Sequence, residues 1–198
     1  MAFGLRGLNF IGRSWGSGHP CCAPATAAAA VLALGGCISS TAPILTDANP
    51  VLSDRGQIQV YTLEGGAARN RGTITYQWNG SRYLVRGKSV GFTDFTLHPY
   101  EGRDFVIQTT SQRAPHIIEY GLARRLADAT YLLVPLNEDD AEPATRDMFC
   151  TKTAEAPCRV VTTEQVFAFA RATADKPVEG GELAVVLAVP PPPGAARH

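Results

Sequence analysis

Regular alternation of apolar and polar positions begins at Gln57 and runs through most of the chain to Val189. Over 57–63, Ile58 and Val60 fall on one face and Gln57 and Gln59 on the other, the period-two pattern of a half-buried strand. The clearest local signal is 72–87. Asn79-Gly80 stands between two alternating runs, and both residues tolerate the positive φ of a tight hairpin turn. A two-residue loop there pairs Trp78 with Ser81, Tyr76 with Tyr83 and Ile74 with Val85, all on one face. Arg82 and Arg86 then lie on the opposite, solvated face, and a one-residue slip would scatter the aromatic set.

Further strands are expected at 92–97, 104–110, 116–125 and 129–136. The segment 122–127 also fits a short helix, but its β-branched and aromatic flanks favour strand. Residues 137–149 are acidic, contain Pro143 and read as a loop with at most a turn of helix. The clearest helix is 163–174. Thr162 and Gln165 have the spacing of a capping box, and Val166, Phe169, Ala170 and Thr173 share one face. A final apolar strand at 182–189 is suited to the middle of a sheet, and Pro190–Pro193 end it. The expected fold is mainly β: an antiparallel sheet or sandwich of about 6–8 strands with one or two short helices.

Two flanking segments lack this periodicity. Residues 37–56, rich in Ser, Pro, Asn and Asp, read as a tether, and 190–198 as a disordered Pro-rich tail. Residues 57–189 are left as a single β-rich domain.

The first 36 residues have a different order. A Gly-rich stretch carrying Arg6, Arg13 and His19 precedes a run of about 14 small apolar residues, and then Leu34-Gly35-Gly36-Cys37. The run is short of the ~20 residues needed to span a bilayer as a helix. Basic, apolar and small segments in this order match a secretory signal. The last four residues resemble the lipobox of bacterial lipoproteins. That resemblance implies cleavage before Cys37 and acylation of its thiol. It also implies a partner in the membrane, reached through the lipid anchor. Ile38 and Ser39 follow the cysteine without the Asp that often marks inner-membrane retention. An outer-membrane, periplasm-facing location is therefore expected.

The same reading accounts for five cysteines. Cys21 and Cys22 leave with the leader, Cys37 is lipidated, and Cys150 and Cys158 remain as one expected disulfide in an oxidising compartment. Their spacing is too wide for a Cys-x-x-Cys redox motif. The segment before Cys37 holds two of the 18 basic residues and none of the 18 acidic ones, so the remainder carries a net charge of −2. That balance, without a basic patch, argues against nucleic-acid binding.

Motifs for a serine nucleophile, zinc hydrolysis, phosphate cradling or dinucleotide binding are absent. No cofactor or metal is expected. His98 and His116, with Glu119 as a carboxylate partner, are the candidates for hydrolytic chemistry. Tyr76, Trp78, Tyr83 and Tyr100 are candidates for stacking a glycan or small ligand, if they face solvent. The sequence thus favours a non-enzymatic structural, adaptor or assembly role, with other envelope proteins or cell-wall material as partners. A periplasmic hydrolase or a small-ligand/glycan-binding module are the alternatives.

Overall fold

The computed structural model describes residues 38–64, 67–87, 91–151, 158–176 and 182–188. The leader with Leu34, Gly35, Gly36 and Cys37, and the 190–198 tail, lie outside these residues. The strands are β1 (Ile38–Ser40), β2 (Arg55–Glu64), β3 (Ala67–Trp78), β4 (Tyr83–Arg86), β5 (Phe92–Pro99) and β6 (Phe105–Ser111). They continue with β7 (Ile118–Ala127), β8 (Thr130–Pro135), β9 (Cys158–Arg159) and β10 (Glu182–Ala188). A 3-10 turn at Glu138–Asp140 and α1 (Pro143–Phe149) follow β8, and α2 (Thr163–Ala174) follows β9. The mainly β, antiparallel class expected from the alternation is the class observed. Residues 122–127 are strand, and the acidic 137–149 stretch holds the 3-10 turn and a two-turn helix.

The sheet curls until it closes. From β2 to β8 each strand pairs antiparallel with the next, and β10 inserts between β8 and β2. These eight strands form a ring, although β4 is short, so residues 67–74 of β3 pair on one side only among the described residues, with β2. The interior is filled from alternate positions. Tyr76, Tyr83, Phe95, Leu97, Ile107 and Leu133 are buried there with Ile58, Val60 and Ile74. Outside the ring, α2 lays Val166, Phe169 and Ala170 over Val106, Tyr120 and Leu122 of β6 and β7, forming a second core. Its capping box is present as read: Gln165 N–H donates to the Thr162 hydroxyl (3.3 Å), and Thr162 N–H donates to Gln165 Oε1 (3.0 Å).

Two expectations need correction. The hairpin loop has four residues, Asn79–Arg82, so Trp78 pairs with Tyr83 and Tyr76 with Val85. The cause is Asn79, whose Oδ1 accepts the N–H groups of Ser81 (3.0 Å) and Arg82 (2.9 Å) in a side-chain-mimicked turn. Gly80 takes the positive φ. A two-residue shift preserves facing, so the aromatic set still points inward.

The second correction concerns the tether. Residues 38–54 are laid against the barrel instead of hanging free. β1 pairs with β7 and, in parallel, with β9, and Ile38, Ser39 and Ser40 are all buried. Farther on, Leu45 is buried and Val51 and Leu52 pack onto the barrel core. Scattered apolar residues in a polar stretch, Ile38, Leu45 and Leu52, supply enough contact to hold the backbone once distant polar groups satisfy it.

Cys150 and Cys158 are joined, with Cα atoms 4.7 Å apart. The bond ties the end of α1 to β9, and through β9 to β1. Closing a loop of about nine residues contributes roughly 2.5 kcal/mol in the chain-entropy view. We expect the Cys150→Ser/Cys158→Ser chain to lose about that much stability. A urea midpoint unchanged from wild type would contradict it.

Candidate functional site

The segment that leads away from Cys37 is fastened to the barrel at several points. Ile38, the residue after it, is fully buried, aligns with Cys158 and donates its N–H to the Leu136 carbonyl (3.4 Å). Ser40 Oγ and Tyr120 Oη are 2.7 Å apart, in the buried space between β1 and the outer face of β7. Gln108 on β6 clamps the next stretch. Its Oε1 accepts from Ile44 and Leu45 N–H (both 3.1 Å), and its Nε2 donates to the Leu45 carbonyl (3.3 Å). At the far end the Leu52 N–H donates to the Tyr83 hydroxyl (2.8 Å), which donates back to the Leu52 carbonyl (3.0 Å). Gly56 completes the fit: a Cβ there would clash with the buried Tyr76 ring, so glycine lets the chain pass it closely.

Asp47 of this strap bears on His98. The side chain lies on the outer face of β5, where a sheet with one solvated face would leave it exposed. Instead it is buried, with Nε2 2.8 Å from Thr96 Oγ1. Burial pushes its pKa down, and the Asp47 charge on the strap partly opposes this. His116 is exposed in the turn before β7. Glu119 is half-buried and points to the barrel interior, opposite the face that carries His98, and burial raises its pKa. The three candidates for hydrolytic chemistry are therefore not brought together.

The aromatic group divides as well. Tyr76 and Tyr83 are core residues, with Tyr83 stacked on Phe95 at 4.9 Å and Trp78 tilted against it at 4.8 Å. Tyr100 belongs to the other core and stacks on Phe167 of α2 at 5.8 Å. No open stacking platform is formed by the four.

Sequence reasoning did not find the barrel interior. An apolar cavity of about 40 Å³ lies among Leu52, Phe92, Phe95, Leu133, Ala184 and their neighbours, with no polar surface on its walls. Above it, two residues from Ala184 on the same face of β10, stands Glu182. Burial raises this carboxyl to about 7, with Arg71 opposing the shift. The only signal in the sequence was a lone acid leading an apolar strand.

Glu182 makes stability depend on pH. Its folded pKa of about 7 exceeds the ordinary 4.5, so the folded state holds a proton that the unfolded chain has released. Stability is full below about 4.5 and falls as pH rises to about 7, where both states are ionised. We expect Glu182→Gln to match wild type at pH 4 and to exceed it at pH 8. The gain should be on the order of 1–2 kcal/mol after allowance for solvent screening. Parallel urea curves at the two pH values measure it, and an equal difference at both would contradict the assignment.

Comparison with known proteins gives no relative: no family model, no curated protein and no solved structure matches this chain.

Proposed function

We propose that this chain is a lipid-anchored protein of a bacterial envelope, whose barrel serves a non-enzymatic structural, adaptor or assembly role. The observation that carries the reading is the junction at Cys37. The lipobox-like Leu34-Gly35-Gly36-Cys37 ends at the residue before a fully buried strand position, Ile38. Cleavage before Cys37 would therefore remove the leader and leave every described strand and helix in place. The Cys150–Cys158 bond suits an oxidising compartment, and the residues after Cys37 suit the outer membrane, facing the periplasm. Consecutive Cα atoms lie about 3.8 Å apart, so acyl chains on Cys37 would seat the barrel against the bilayer instead of letting it swing on a leash. Its partners are then other envelope proteins or cell-wall material close to that surface. Palmitate labelling tests the anchor, and crosslinking in the native envelope tests the role: recovery of a discrete protein or cell-wall adduct is expected, and recovery of none contradicts it.

The apolar cavity favours a second reading, a module that holds a small apolar molecule. Eight-stranded barrels have interiors that side chains just fill or that hold one small ligand. In that case xenon shifts the NMR resonances of the lining methyl groups saturably in wild type, and Ala184→Leu, which fills the cavity, abolishes the shift while the far-UV circular dichroism stays native. Equal shifts in both chains would place the xenon elsewhere and remove this reading.

A further inference from the structure

The Cys150–Cys158 corner contains a carboxylate that the disulfide does not use. Glu138 Oε2 lies 3.9 Å from Cys150 Sγ. A disulfide sulfur has no proton to donate, so this contact is not a hydrogen bond while the bond is closed. The ligand atoms of Glu138, Cys150 and Cys158 all lie within 4.8 Å of one another. A tetrahedral Zn²⁺ with two thiolates and one carboxylate needs sulfur–oxygen and sulfur–sulfur separations of roughly 3.5–3.8 Å. Side-chain adjustments of about 1 Å reach that geometry.

The three residues are held in place by bonds other than the disulfide. Cys150 N–H donates to the Arg146 carbonyl (2.8 Å) at the end of α1. Thr151 and Arg159, the neighbours of the two cysteines, exchange both backbone hydrogen bonds (3.2 and 2.9 Å). Cys158 is locked beside Ile38 in β9, and Glu138 is fixed by the 3-10 turn, whose Ala141 N–H donates to its carbonyl (3.2 Å). Opening the disulfide therefore leaves two thiols and a carboxylate converging on one point. A polar cleft of about 330 Å³, lined by Glu138, Arg146, Asp147 and Cys150, gives a cation access and leaves a fourth position for water.

We propose that Cys150, Cys158 and Glu138 form a redox-gated site for a soft divalent cation, Zn²⁺ in the first instance. A dithiol reductant supplies two electrons and two protons. The sulfur–sulfur bond of the protein breaks, two thiols form, and the reductant becomes a disulfide. Zn²⁺ then displaces both thiol protons to solvent and binds two thiolates and the Glu138 carboxylate. Oxidation closes the site by returning the sulfurs to each other. Two sulfur ligands select a borderline-soft ion over Mg²⁺ or Ca²⁺.

The test is a Co²⁺ titration of the full chain under anaerobic conditions, with and without a phosphine reductant, followed by the thiolate-to-cobalt absorption band. The band should appear only in reduced protein. Glu138→Gln, which leaves the disulfide intact in the oxidised form, should weaken Co²⁺ binding at least tenfold, on the order of a lost metal-site group. Cys150→Ser should abolish the band. Persistence of the band in Cys150→Ser would assign it to Cys21, Cys22 or Cys37 and overturn the proposal. So would equal affinity in Glu138→Gln and wild type, or no band in reduced wild type.

Discussion

Tyr83→Ala is expected to cost about 3–5 kcal/mol, the range for deleting a large buried aromatic side chain. Tyr83 is fully buried and touches three rings: Phe95, Trp78 and Tyr76 at 4.9, 4.8 and 5.5 Å between centroids. Truncation opens a cavity among side chains that are themselves fixed by the closed sheet. It also strips both backbone groups of Leu52 of their partner. Tyr83→Phe separates the two contributions. It keeps the rings and removes the hydroxyl, and should cost about 1–2 kcal/mol through the uncovered Leu52 N–H and carbonyl. Urea midpoints of the two variants and wild type check both values. A Tyr83→Ala chain within about 1 kcal/mol of wild type would mean that this end of the barrel is not packed as described.

Much of this packing was legible locally. Thr162 and Gln165 marked the start of α2, and Val166, Phe169, Ala170 and Thr173 gave its buried face, because both features depend on residues a turn or two apart. The alternation in 72–87 placed Tyr76 and Tyr83 on one face correctly, although Asn79 lengthened the turn and moved the register by two. What could not be read was whatever depends on a distant partner. Residues 38–54 look like a linker because their few apolar residues, set about seven apart among Ser, Pro and Asn, show no strand alternation. Their fasteners are Gln108, 63 residues beyond Leu45, and Tyr83, 31 residues beyond Leu52. His98 is buried on the outer face of β5, where alternation alone would expose it, and Asp47 of the strap bears on its charge, so its environment was hidden as well. Closure of the ring through β6 and β7, with β10 inserted beside β2, likewise joins segments whose sequences carry no mark of each other. Hence the cavity, and the raised carboxyl of Glu182 on the same face of β10 as Ala184, became visible only with the barrel.

Cys37→Ser carries the second large expected effect, an all-or-none change in where the protein is found. Each buried methylene of an acyl chain contributes ~0.8 kcal/mol, so two or three chains hold a protein on a bilayer where one would exchange. Wild type should sediment with membranes and require detergent for release. The variant keeps every fastener of the folded body, from Ile38 onward, and should remain folded. It should therefore lose membrane retention without losing stability, and its urea curve in detergent should overlay that of wild type. A variant that still sediments with membranes, or one that is folded less stably, would separate the barrel's location from acylation of Cys37.

The anchor itself is the central claim, and metabolic labelling with palmitate tests it most directly. Cys21 and Cys22 leave with the leader in the proposed processing, and Cys150 and Cys158 are bonded to each other, so Cys37 is the one thiol left to carry label. Wild type should incorporate palmitate and Cys37→Ser should incorporate none. Equal labelling of the two chains, or no labelling of wild type, would contradict the account.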